Sequence, residues 1–76
     1  MDEYLELVKN ASGDIWKVFK EFSNIGFHDD KNWEKLVAKT SEISKKYENT
    51  KAQNYAVKYC VLIIKELERK AKENEK

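Results

Sequence analysis

Proline is absent from this chain, glycine occurs twice, and cysteine and histidine occur once each. With so few of the residues that punctuate turns, a β fold of many short strands is excluded and long helices are favoured. The single Cys60 rules out an internal disulfide framework, and one histidine beside it is too few for a Cys/His zinc site. A charge excess of either sign is also missing: 15 basic side chains face 14 acidic ones. The chain therefore has no bulk attraction to nucleic acid or anionic lipid, and it is no whole-molecule mimic of DNA. The longest apolar run, Tyr59 to Ile64, is far too short to cross a bilayer. Met1-Asp2-Glu3 is acidic and no apolar h-region follows, so no signal peptide and a reducing, cytoplasmic setting are expected.

What is present is helical patterning. Seventy-six residues make one domain at most, and a chain this short buries only about 60% of the surface that its unfolded form exposes. At about 100° per residue the chain resolves into three stripes. Tyr4, Val8, Ala11, Ile15, Phe19 and Phe22 make the first, which stays in phase across Gly13 and so predicts one continuous helix. "NIGFHDD" reads as a turn in which Gly26 takes positive φ and Asp29 or Asp30 caps the next helix. Trp33, Leu36, Val37, Thr40, Ile43 and Tyr47 form a narrow second stripe, the mark of a one-sided surface helix. Thr50 and Gln53 fit a capping box that opens a third helix, and "KENEK" at the end lacks anything apolar to hold it and should fray. The reading is all-α: an antiparallel up-down-up three-helix bundle in a single domain, with helices over about 3–23, 30–48 and 51–72 and a frayed C-terminal tail.

The third segment carries more apolar surface than one face holds. Ala52, Ala56, Tyr59, Cys60, Ile63 and Leu67 define a core face, Val57, Val61 and Ile64 a strip to one side, and Tyr55 and Leu62 the other side. Flanking side chains of this kind can be half covered by the two neighbouring helices. Alternatively the strip Val57, Val61 and Ile64 meets another molecule, with Leu5 and Trp16 adding area from the first helix. A protein partner or a second copy in a homodimer is the occupant that this reading expects.

A second function class rests on Lys51, Lys58, Lys65, Arg69 and Lys72, which line up opposite the core face as a ridge able to follow a phosphate backbone. Glu66, Glu68 and Glu73 interrupt that field, and the long helices do not suit a helix-turn-helix, so a solvated face is the plainer reading and nucleic acid a runner-up. His28 with Asp29 and Asp30 belongs to one turn and is better explained by helix capping than by a metal. Cys60 lies on the apolar face, where a thiol is inert packing. "NAS" at Asn10 matches a glycosylation sequon, but it falls inside a helix. No nucleophile–base pair or glycine-rich phosphate loop is present, so no enzyme activity, cofactor, metal, small-molecule substrate or membrane partner is expected.

The segments "DIWKVFKEF" (14–22), "WEKLVAKTSEISKKYEN" (33–49) and "VLIIKELERKAKE" (61–73) resemble a recurring class of short, uncharacterised helical proteins of Firmicutes phages and integrative mobile elements. The likeness spans the chain from about residue 14 and lies in helical patterning, with no catalytic residues to carry over. It implies a non-enzymatic protein-binding module, and as a specialisation an inhibitor of a host defence system of the CRISPR type.

Overall fold

The computed structural model describes residues 2–74. It contains α1 (Glu3–Glu21), α2 (Asp30–Lys46) and α3 (Gln53–Asn74), with no strand among the described residues. The Asp2 carboxylate caps α1 by accepting the Tyr4 N–H at 2.9 Å, and Glu3 and Glu6 place negative charge at the positive end of the helix dipole. As the apolar phase predicts, α1 runs unbroken through Gly13. It stops at Phe22, whose N–H returns to the Val18 and Lys20 carbonyls.

The first connection differs from its expected form. Gly26 does not take positive φ; among the described residues the one non-glycine that does is Asn49, at φ 65°. Because Phe22 already ends α1, the loop is built from successive turns, Ile25 N–H to Phe22 C=O and Asp29 N–H to Gly26 C=O, that need no left-handed residue. Trp33 then fastens the loop, its indole N–H shared by the carbonyls of Gly26 at 2.9 Å and Phe27 at 3.2 Å. Asp29, not Asp30, is the cap of α2, accepting from the backbone N–H and the side-chain amide of Asn32.

The second connection uses Thr50 and Gln53, shifted from the capping-box pattern. The Thr50 hydroxyl accepts the Ala52 N–H at 3.2 Å and donates to the Tyr47 carbonyl, while Gln53 Oε1 accepts the N–H of Asn49. Regular helix therefore begins at Gln53 instead of Lys51. At the other end α3 stays helical to Asn74, beyond the expected limit at Lys72. Arg69 pairs with Glu73 at 2.7 Å across the last turn, and Lys72 sits over the Phe27 ring, 5.7 Å from its centroid. The rest of the tail expected to fray, 75–76, lies outside the described residues.

The helices form the up-down-up bundle that short connections dictate. Ion pairs Asp14–Lys46 and Glu21–Lys39 set α1 and α2 antiparallel. Bonds from Tyr55 to Ser12 and from Lys70 to the Ser23 carbonyl run α3 parallel to α1. At the centre Ile15, Leu36 and Leu67 are the largest side chains wholly removed from water. Fully burying a side chain of this size is worth about 1.5–3 kcal/mol. Three stripe assignments are corrected. Tyr4, in the first turn of α1, is 41% exposed and lies outside the core. Val18 joins the core because α1 lies between two partners and its buried stripe is wider than one row. Val37 leaves it, 53% exposed, because it stands one residue past the row of Leu36, Thr40 and Ile43 that faces inward.

Candidate protein-contact surfaces

What covers the flanks of α3 is decided by which neighbour lies on which side. The Cys60 thiol reaches the Thr40 carbonyl at 3.7 Å, so that side of α3 faces α2. Tyr55 meets Ser12 at 2.6 Å, so the other side faces α1. Helical phase then puts Val57, Val61 and Ile64 on the α2 flank, and Tyr55, Tyr59 and Leu62 on the α1 flank.

On the α2 flank Val57 is 41% and Val61 45% exposed, whereas Ile64 is half-buried and packs against the core cluster. The proposed strip is thus open at two of its three positions. On α2 the edge that carries Thr40 also bears Val37, which is exposed.

Leu5 and Trp16 are exposed as expected, 58% and 50%, but they do not extend the valine strip. Both stand on the edge of α1 that carries Ser12, and that edge faces the opposite flank of α3. There Trp16 and Phe19 line an open groove with Tyr59, Leu62, Ile63 and Glu66, of about 320 Å³. The groove continues past Tyr55, Lys58, Tyr59 and Leu62. Leu62, at 60% exposure the most open of the large apolar side chains, is the residue that a strip defined by the valines leaves out. Its signal was its place beside Tyr55, off the core face. The five contact candidates therefore divide between two surfaces on either side of α3.

The basic ridge is partly neutralised where it can be followed. Arg69 is bridged to both Glu66 and Glu73, and Lys51, which precedes the helix, approaches Glu3 at 3.5 Å. The Arg69 guanidinium holds the Glu66 carboxyl below its usual range, and Glu66 in turn raises Arg69. Lys58, Lys65 and Lys72 are exposed. Lys72 leans over Phe27.

The groups with reactive chemistry are placed as structural parts. Cys60 is buried and its thiol is pushed up by that burial, opposed by a hydrogen bond with Ser44, so it stays protonated at neutral pH. His28 stacks edge-on against Phe27 in the first loop, far along the chain from Cys60. Among the described residues no group of three or more His, Cys, Asp or Glu side chains is arranged to hold a metal ion, and no helix is long and apolar enough to cross a membrane. Comparison with protein-family models, curated proteins and solved structures finds no match to this chain.

Proposed function

We propose that this chain is a non-enzymatic protein-binding module that docks through the apolar flanks of α3. One observation carries the reading: large apolar side chains stand open to solvent on both sides of the buried face, Val57 and Val61 on one and Leu62 on the other. A bundle this small has little apolar area to spare for water, and contiguous apolar patches on a soluble surface mark contact sites. The buried, protonated Cys60 supports a role without covalent chemistry. On the resemblance to phage and mobile-element proteins, the partner is a host or phage protein, a CRISPR-type defence component being the specialised case.

Tagged wild-type protein is used for capture from bacterial lysate beside Val61→Asp and Leu62→Asp, with circular dichroism melting curves of all three. The expected result is a partner retained by the wild type and lost with one of the variants at unchanged melting temperature. Light scattering at high concentration decides whether a second copy is the partner. Binding of labelled DNA or RNA that weakens with salt and survives both aspartate variants would replace this reading with the basic ridge.

A further inference from the structure

We infer that the groove between α1 and α3 seats an amphipathic helix of a partner protein, with an apolar face and acidic flanks; the inference rests on the protein-binding reading. Two parallel helices form the walls, and α3 alone has 22 residues, a length of roughly 33 Å at 1.5 Å per residue. The helix edges that flank the groove carry both apolar and basic side chains. Along α1, Leu5, Lys9, Ser12, Trp16 and Lys20 recur at spacings of four, three, four and four; along α3, Tyr55, Lys58 and Leu62 recur at three and four. Lys20 stands over Trp16, 5.6 Å from the ring centroid, and Lys58 lines the α3 side beside Leu62. Among the described residues Lys9, Lys20 and Lys58 form no ion pair, whereas Glu66, the carboxylate that lines the groove, is held by Arg69. A fourth helix laid along this channel completes a four-helix arrangement, its apolar row on Trp16 and Leu62 and its acidic rows against lysines on either side.

Charge decides between occupants. A second copy meeting the groove about a two-fold axis brings lysine edges against lysine edges, which is repulsive. A nucleic acid strand would match the lysines, but the most open groups here are aliphatic, Leu5 and Leu62, and offer no stacking face. The tyrosines are engaged already: Tyr55 bonds Ser12 and packs edge-on against Tyr59.

The probes are two synthetic helical peptides of about 18 residues, identical in a leucine face and differing in glutamate or lysine flanks. Backbone amide resonances of the full chain report where each binds. The glutamate peptide is expected to shift Trp16 and Leu62, to half-saturate at a concentration at least about tenfold lower than the lysine peptide, and to weaken with salt. Leu62→Asp removes the shifts, and Lys58→Glu narrows the preference for glutamate. Equal binding of both peptides, shifts confined to Val57 and Val61, or stronger shifts of the groove by a single-stranded oligonucleotide each overturn the inference. If no peptide touches the groove while lysate capture returns a partner lost with Val61→Asp, the inference falls and the broader reading stands. Silence at both flanks together with empty capture removes both.

Discussion

The phenolic O–H of Tyr47 donates to Asp14 Oδ2 at 2.8 Å across the seam between α1 and α2, and Lys46 reaches the same oxygen at 2.8 Å. Tyr47 closes the buried row of α2 while its hydroxyl meets a carboxylate two residues past the middle of α1. Lys46 above all, then the Tyr47 hydrogen bond, hold the Asp14 carboxyl below its usual range against the opposing effect of burial. Ser12 and Asp14 each tie α1 to a different neighbour, Ser12 to Tyr55 and Asp14 to Tyr47.

Acid unfolding follows from that arrangement. A carboxyl whose folded pKa lies below its unfolded value, about 3.9 for aspartate, contributes stability that is present above that value. The contribution is lost as pH falls through the lower, folded pKa. Denaturant unfolding followed from pH 7 down to about pH 2 should therefore show a steeper acid loss for wild type than for Asp14→Asn. Tyr47→Phe should cost about 1 kcal/mol at neutral pH and flatten part of the same slope. Parallel acid profiles for wild type and Asp14→Asn would show that the contact has no weight.

Gly13 is the simplest place to strengthen the fold. It lies inside α1, is exposed, and an added Cβ meets nothing within 4 Å. Gly13→Ala removes backbone freedom from the unfolded chain without a clash and should stabilise by about 0.5–1 kcal/mol. A raised denaturation midpoint with unchanged slope checks it.

The two connections should differ in their tolerance of alanine. Asn49 holds φ at 65°, where a side chain without asparagine's local hydrogen bonding is strained. Asn49→Ala should cost about 1 kcal/mol and Asn49→Gly much less. Gly26 has no positive φ, and a Cβ there lies at an ordinary 3.9 Å from the Cβ of Asp29. Gly26→Ala should change stability by less than about 0.5 kcal/mol. Urea melts of the three variants separate these outcomes.

Periodicity made much of this legible and handedness did not. Ile15, Leu36 and Leu67 sit on rows that a helical wheel picks out, and all three are at the centre. The wheel also marks Val61 and Leu62 as surplus on α3. It does not say which flank meets α1 and which meets α2, because a three-helix bundle of either hand satisfies the same stripes. The stripes alone therefore group Trp16 with Val61, although the α1 edge that bears it faces Leu62. Residue type alone points to Gly26 for positive φ. A helix that ends on Phe22 has no need of it, and the sharper reversal falls on Asn49.

Leu62 and Ile63 adjoin in sequence and have opposite surroundings, 60% and 4% exposed. Truncating Ile63 to alanine opens a cavity among closely packed neighbours and should cost about 2–5 kcal/mol. That is a large part of the total for a chain of this size, roughly 4–11 kcal/mol at typical stability per residue. Leu62→Ala leaves the core intact and should change stability by less than about 0.5 kcal/mol. Its effect belongs to binding. The pair therefore separates scaffold from surface: thermal melts with and without the glutamate peptide should show Ile63→Ala low in both and Leu62→Ala unchanged alone but no longer raised by peptide. A Leu62→Ala protein that melts as early as Ile63→Ala would mean that the α1–α3 groove is part of the core, with nothing left over for a partner.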